Sequence, residues 1–275
     1  MFQTSSDDIK DTEESVDPFS GTTPKEAPDI DHVDSMIAQQ MSNMTVQDRE
    51  QAYLDVHGIS PVVEETPELI STKLMEMENH IRKQRRREAY DIAESMNPQY
   101  VQNPEFRLMF LRADLFNAQN AAIRVIRHFE TKRTLFGVEK LAVEITQDDL
   151  DKETMDSLYV GYSQYLRTPD RSGRIISVWV GNADHESYSI TALHAQKNGI
   201  VSLLYMLSRE SGTPFPYDAA VELPRLAGAI PTRVAAFHMA HNNKWLSPLL
   251  AFIKSSFGLV TRIRIRTHYG KPSLF

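Results

Sequence analysis

Few side chains in this 275-residue sequence combine a type and a spacing suited to bond chemistry. His238 and His241 lie three residues apart, which lets two imidazoles share a metal on a helix. The residues around them predict a strand, where positions three apart point to opposite faces, so no metal site is expected. His238 reads either as a polar group lining a pocket or as a hydrogen-bonded structural histidine. The run Ser208-Arg209-Glu210-Ser211-Gly212 lacks the glycine two places before either serine that a nucleophile elbow needs. There is no phosphate-cradling glycine loop, no H-E-x-x-H and no G-x-G-x-x-G. With no cysteine in the chain, a thiolate metal site, a cysteine nucleophile and a disulfide framework are excluded. The expectation is a non-enzymatic protein with no catalytic residue and no metal or other cofactor.

Two basic clusters remain. Arg82-Lys83-Gln84-Arg85-Arg86-Arg87 could serve a nucleic acid or an anionic lipid, but Glu76, Glu78 and Glu88 flank it. The favoured reading is a solvated helix face, and no nucleic-acid partner is expected. Arg262, Arg264 and Arg266 alternate with apolar residues and Thr267, making a basic ridge along one face of a predicted last strand. Three guanidiniums on one face repel one another unless an anion answers them, either a lipid phosphate or acidic neighbours.

The elements that position these residues follow from punctuation and period. Residues 1–31, rich in Ser, Thr, Asp, Glu and Pro, read as a disordered acidic tail. Residues 32–66 hold short amphipathic helices and a linker: Met36, Ile37, Met41 and Met44 at near-helical spacing, then a helix from Arg49 to Val56 capped by Thr45 and ended by Gly58 and Pro61. Residues 67–137 are helical, with one long helix to about Met96, a stop at Asn97-Pro98, a helix from Pro104 to Arg112 and another from Asn117 to about Lys132. From 138 to 275 the texture becomes α/β. A helix-like stretch from Asp148 to Tyr165 and a turn at residues 168–173 precede β-rich runs at 174–180, 200–207, 234–239 and 260–267. Their spacing predicts a mostly parallel sheet with crossover connections. Trp245 to Phe257 is apolar around most of its circumference, so it must be buried, face a ligand or touch a membrane.

Phe110-Leu111-Arg112-Ala113 with Phe116 and Ala121-Ala122, Asp170-Arg171-Ser172-Gly173-Arg174, Gly199, Pro231-Thr232-Arg233 and Thr261-Arg262-Ile263 occur in this order. Together they resemble the CRAL-TRIO family with its N-terminal helical domain, over about residues 67–269. The resemblance implies a mixed, mostly parallel sheet flanked by helices and preceded by a small all-α domain. It implies a lipid, such as a phospholipid, tocopherol or retinoid, in an apolar pocket under a gate helix at residues 245–257. Carried over to this sequence, the pocket set is Trp179, Tyr205, Phe237, His238, Met239, Leu249, Leu250, Phe252, Ile253 and Phe257. Contact with an anionic membrane or head group falls to Lys254, Arg262, Arg264 and Arg266. The implied activity is lipid binding and transfer at membranes, and the alternative is a pocketless adaptor of the same fold that holds protein partners. The family continues through a further helix where this sequence stops at Phe275, which implies either an incompletely closed pocket or a truncated C-terminus.

The bulk numbers frame these expectations. A hydrophobic fraction of 41% with 24% charged residues describes an ordinary globular chain. The net charge of −7 is a sum of opposites: residues 1–80 carry 18 acidic and 4 basic residues, whereas residues 81–275 carry 19 acidic and 26 basic. A cytoplasmic protein with transient, peripheral contact to anionic membranes is expected, since no signal segment or spanning stretch is visible.

Overall fold

Thr45 starts helix α1 (Val46–His57) by accepting a hydrogen bond from the Asp48 amide, and Gly58 ends it at φ 68°. The positive φ favours glycine here, and a Cβ would also displace the Ser172 hydroxyl and the Arg174 guanidinium. The structure, a computed structural model, describes residues 35, 38, 39, 42, 44–160, 163–180, 197–206, 226–242, 250, 251, 253, 254, 257, 261 and 263–270. The acidic tail, Met36, Ile37, Met41, residues 208–212 and the C-terminal residues 271–275 lie outside the described residues.

Helix α2 (Pro67–Lys83) is capped by Thr66 and begins on proline. The single helix expected over residues 67–96 is broken at Gln84, which is extended, and α3 (Glu88–Met96) begins anew. No glycine or proline causes the break. Continuing the helix would stack Arg82 on Arg86 and Lys83 on Arg87 at like-charge i,i+4 spacing. Breaking it lets Met77 and Ile81 of α2 and Ala89, Tyr90 and Ala93 of α3 all enter one core. Arg107 pins the corner, donating to Glu78 at 2.6 Å, to the Tyr90 hydroxyl at 2.6 Å and to the Val101 carbonyl at 3.1 Å. Of the basic run, Arg82 pairs with Glu78 and Arg87 with Asp91, while Glu88 pairs with Arg133 instead.

After the short α4 (Pro98–Val101), α5 (Pro104–Ala113) and α6 (Ala118–Phe136) meet at a corner where Leu115 and Phe116 both take positive φ. Two adjacent left-handed residues without glycine are costly. Burial of Phe116 in the helical core and the Asp114–Arg124 pair hold them there. That core also takes Phe110 and Leu111 of α5 and Ala121, Ala122, Val125 and Phe129 of α6.

Helix α7 (Lys152–Val160) is shorter than the helix-like stretch expected to Tyr165; its end is strand β1 (Ser163–Tyr165), antiparallel to β2 (Ile175–Val180). Then β3 (Ile200–Met206), β4 (Val234–His241) and β5 (Ile265–Tyr269) follow in parallel, giving the order β1-β2-β3-β4-β5. The last strand starts later than its sequence suggests, because residues 263 and 264 form a turn. Burial of Ala235, Ala236, Met239 and Ala240 shows that β4 is covered on both faces. The fold is thus mixed α/β, with helices packed ahead of a five-stranded, mostly parallel sheet. Among the described residues no helix is long and apolar enough to cross a membrane.

Arg124 joins the two halves. Its guanidinium holds Asp114 by two 2.8 Å bonds and donates to the carbonyls of Ala227 and Ile230. Arg124→Met strands a buried carboxylate and those carbonyls, so the variant should lose about 3–5 kcal/mol, read as a lower urea midpoint.

Candidate functional site

Strand β4 divides the expected pocket residues between two faces. On one face Phe237 and Met239 stand with Ile265 of β5 and Leu204 of β3 in register. Leu250, Ile253 and Phe257 pack onto this face, forming one cluster with Met239 and Ile265 in which each is 4% exposed or less. Phe237 packs against the cluster's edge, its ring centroid 6.4 Å from that of Phe257. Five expected pocket residues, Phe237, Met239, Leu250, Ile253 and Phe257, are therefore gathered at one contact between helical residues and sheet. Lys254 on the same helical segment is half-buried. Leu249, Phe252 and Arg262 lie outside the described residues, as do the side chains of Trp179 and Tyr205. Their backbones place Trp179 opposite Leu204 and Tyr205 opposite Ala240.

His238 points to the other face, away from that cluster. Its Nδ1 lies 2.8 Å from Nε2 of His268 on the neighbouring strand, and the two rings stack. Burial, then the positive charge of His268, Arg174 and Arg266, holds His238 below the usual histidine range. His241, three residues on, tilts against Tyr269 instead. Among the described residues no third His, Asp or Glu joins them as a metal ligand set. Sequence spacing could not find His268, because the pairing crosses strands 30 residues apart.

The N-terminal edge of the sheet overturns part of the expected basic ridge. Arg264 is no outward-facing contact for a membrane: it lies in the turn before β5, 7% exposed, with Nε and Nη2 at 3.0 and 2.7 Å from Asp55. Arg233, just before β4, donates to the other oxygen of Asp55, which also accepts from Ser60 at 2.6 Å and Gln51 at 3.1 Å. Arg174, just before β2, donates to the Asp55 carbonyl and pairs with Asp170 at 2.6 Å. Only Arg266 of the described ridge stays exposed, with one donor on the Ile263 carbonyl. Gly199, before β3, lets the Arg233 carbonyl pass at φ 80°, where a Cβ would sit 3.1 Å from it. A polar crevice of about 500 Å³ opens beside this clamp, between α1, the α5–α6 corner and the starts of β4 and β5, with Asp48, Asn120, Arg124 and Arg233 on its walls.

Asp55 is fully buried, and burial alone would raise its pKa, but Arg233, Arg264 and Ser60 outweigh it and hold the carboxyl below the ordinary aspartate value. A carboxyl depressed in the folded state stabilises fully above the unfolded value near 3.8 and loses that contribution as pH falls through the folded value. Wild type should therefore lose stability on acidification below about pH 4, whereas Asp55→Asn should show a smaller acid loss. At neutral pH the same variant leaves two buried guanidiniums unanswered and should cost about 3–5 kcal/mol; urea unfolding across pH 3–7 reads both effects. No protein-family model matches the chain, and no curated protein sequence matches it.

Proposed function

We propose that the chain binds one hydrophobic lipid between the sheet and the helical segment around residues 250–257, and transfers or presents it at membranes, as a CRAL-TRIO-like protein would. The observation that carries this is the cluster of Met239, Leu250, Ile253, Phe257 and Ile265: an apolar helical face laid on a sheet whose strand β4 is covered on both sides. The strand order runs from β1 to β5 without a reversal, so the described sheet has no switch-point crevice and a ligand must take a face. The carboxyl ends of β2, β3 and β4 lead into residues 181–196, 207–225 and 243–249, outside the described residues. The Asp170–Arg174 turn, with Gly173 at φ 74° and Asp170 accepting from the amides of Ser172 and Arg174, adds support as the motif that opens the sheet in that family.

Function here is physical rather than chemical. The apolar helix parts from the sheet at a membrane, the lipid exchanges its bilayer surroundings for the sheet face, and closure returns Ile253 and Phe257 to Met239 and Ile265. Of the expected contacts for an anionic surface, Arg266 is exposed and Lys254 half-buried, while Arg264 serves Asp55. A pocketless adaptor is the second reading, favoured by the directness of that packing, in which Leu250 and Ile253 touch the sheet side chains themselves.

Native mass spectrometry of the purified full chain should show one lipid per protein, and the protein should move lipid between vesicles. Ile253→Ala removes a buried contact of about 2–5 kcal/mol that holds the helix down, so lipid exchange should quicken by about tenfold or more. A lipid-free protein that moves nothing between vesicles would leave the adaptor reading in its place.

A further inference from the structure

Five buried side chains among the described residues carry a positive charge: Arg107, Arg124, Lys132, Arg233 and Arg264. Four meet a carboxylate within 3 Å, on Glu78, Asp114 or Asp55. Lys132 does not. It is 5% exposed, yet its ammonium meets only neutral acceptors, the Tyr100 hydroxyl at 3.1 Å and the Val143 carbonyl, and it lies 4.9 Å over the Tyr100 ring. An ammonium has three donors, so one is left without an oxygen acceptor. Burying a cation with no carboxylate in contact is costly, and the four buried arginines each have the contact that this lysine lacks.

That lysine opens onto a cleft of about 800 Å³, between α4, α5 and α6 on one side and residues 144, 145 and 226–230 on the other. The volume is in the range of small-molecule sites. Its walls are chiefly Phe106, Met109, Leu135, Phe136, Ile145 and Ile230. At 59% and 43% exposed, Leu135 and Ile230 show large apolar surface to solvent. His128, also on the wall, brings no competing cation, because burial, then the charge of Lys132, pushes it down to about 4. Glu105 and Glu144 are exposed on the lining, where water and salt screen them. Arg112 is already held by two bonds to Glu65.

We propose that this cleft binds a single-chain amphiphile with a carboxylate head, of the fatty-acid class, its carboxylate on the Lys132 ammonium and its chain along Phe106, Met109, Leu135 and Ile230. The site is separate from the sheet face around Ile253 and takes its ligand by a different rule. One charge-assisted bond fixes the head, and an open apolar wall takes the tail. Burial lowers Lys132 to about 8 against the raising influence of Glu144 and Asp149. The titratable and charged groups around it are Tyr100, Glu105, Arg112, His128, Glu144 and Asp149. A bound carboxylate favours the charged amine, so binding weakens as pH rises through about 8.

The test is calorimetric titration of the full chain with dodecanoate at pH 7, beside dodecanol and dodecyltrimethylammonium. One saturable dodecanoate site is expected, with both other probes about tenfold weaker or more. Lys132→Met should remove the preference for dodecanoate and its decline from pH 7 to 9. Met109→Trp, which narrows the cleft without touching the lysine, should weaken all binding there, and circular dichroism confirms that each variant is folded. Lipid that co-purifies on the sheet side should persist in Lys132→Met, which keeps this result separate from the fate of the lipid-transfer proposal. Dodecanol binding as tightly as dodecanoate, or Lys132→Met binding dodecanoate as wild type does, would overturn the proposal, as would the absence of any saturable dodecanoate site.

Discussion

The Asp55 carboxylate determines how the sheet is joined to the chain that precedes it. Parallel strands begin on a common edge, and here the residues just before β2, β4 and β5 are each arginine. Three guanidiniums brought to one edge repel, and a buried edge offers no water to screen them. A single aspartate from α1 answers two of them through its side chain and the third through its carbonyl. The contacts span 178 and 209 residues of sequence, so the edge closes only when α1 and both ends of the sheet are in place together. Gly58 and Ser172 complete the joint: the Ser172 hydroxyl donates to the Gly58 carbonyl, where a Cβ on residue 58 would displace it and the Arg174 guanidinium.

That joint also explains which parts of the structure were legible in the sequence. Local signals worked where local physics decides: the Thr45 cap, the glycine stop at 58, the helix starts at Pro67 and Pro104, and strands β2, β3 and β4 emerge where punctuation and period place them, with β5 a few residues later. The misses share a different cause. The break at Gln84 is set by the need of α2 and α3 to reach α6 together, and no residue there announces it. Three-residue β1 is a strand only because β2 offers it an edge. The ridge of Arg264 and Arg266 alternates in sequence like a surface, yet one member turns inward to an anion supplied by a helix two hundred residues earlier. Pairwise charge matching across such distances leaves no periodic trace.

The grouping of five of the expected residues on one sheet face was legible to the same degree. The gathering of Phe237, Met239, Leu250, Ile253 and Phe257 follows from hydrophobic alternation in β4 and an all-round apolar helix, both readable from spacing. The departure of His238 follows from that alternation too, since 238 must face away from 237 and 239. Its partner His268 required knowledge of the register, which the sequence does not state.

Buried charge separates structure from function in this molecule better than apolar surface does. Apolar clusters occur in the helical core, on the sheet face and along the cleft, and burial alone does not distinguish a packed interior from a waiting site. Charges do, because each one left in low dielectric must be answered or neutralised. Arg107, Arg124, Arg233 and Arg264 are answered by aspartate or glutamate and hold the helices to one another and to the sheet. Lys132 is left on neutral oxygens beside an open apolar wall, with its pKa drawn toward neutrality. A lysine serving only to link α6 to the 143 segment would do so more cheaply as a neutral donor. Keeping it cationic at neutral pH, where the four buried arginines among the described residues each meet an aspartate or glutamate, is the arrangement expected of a group whose anion comes from outside.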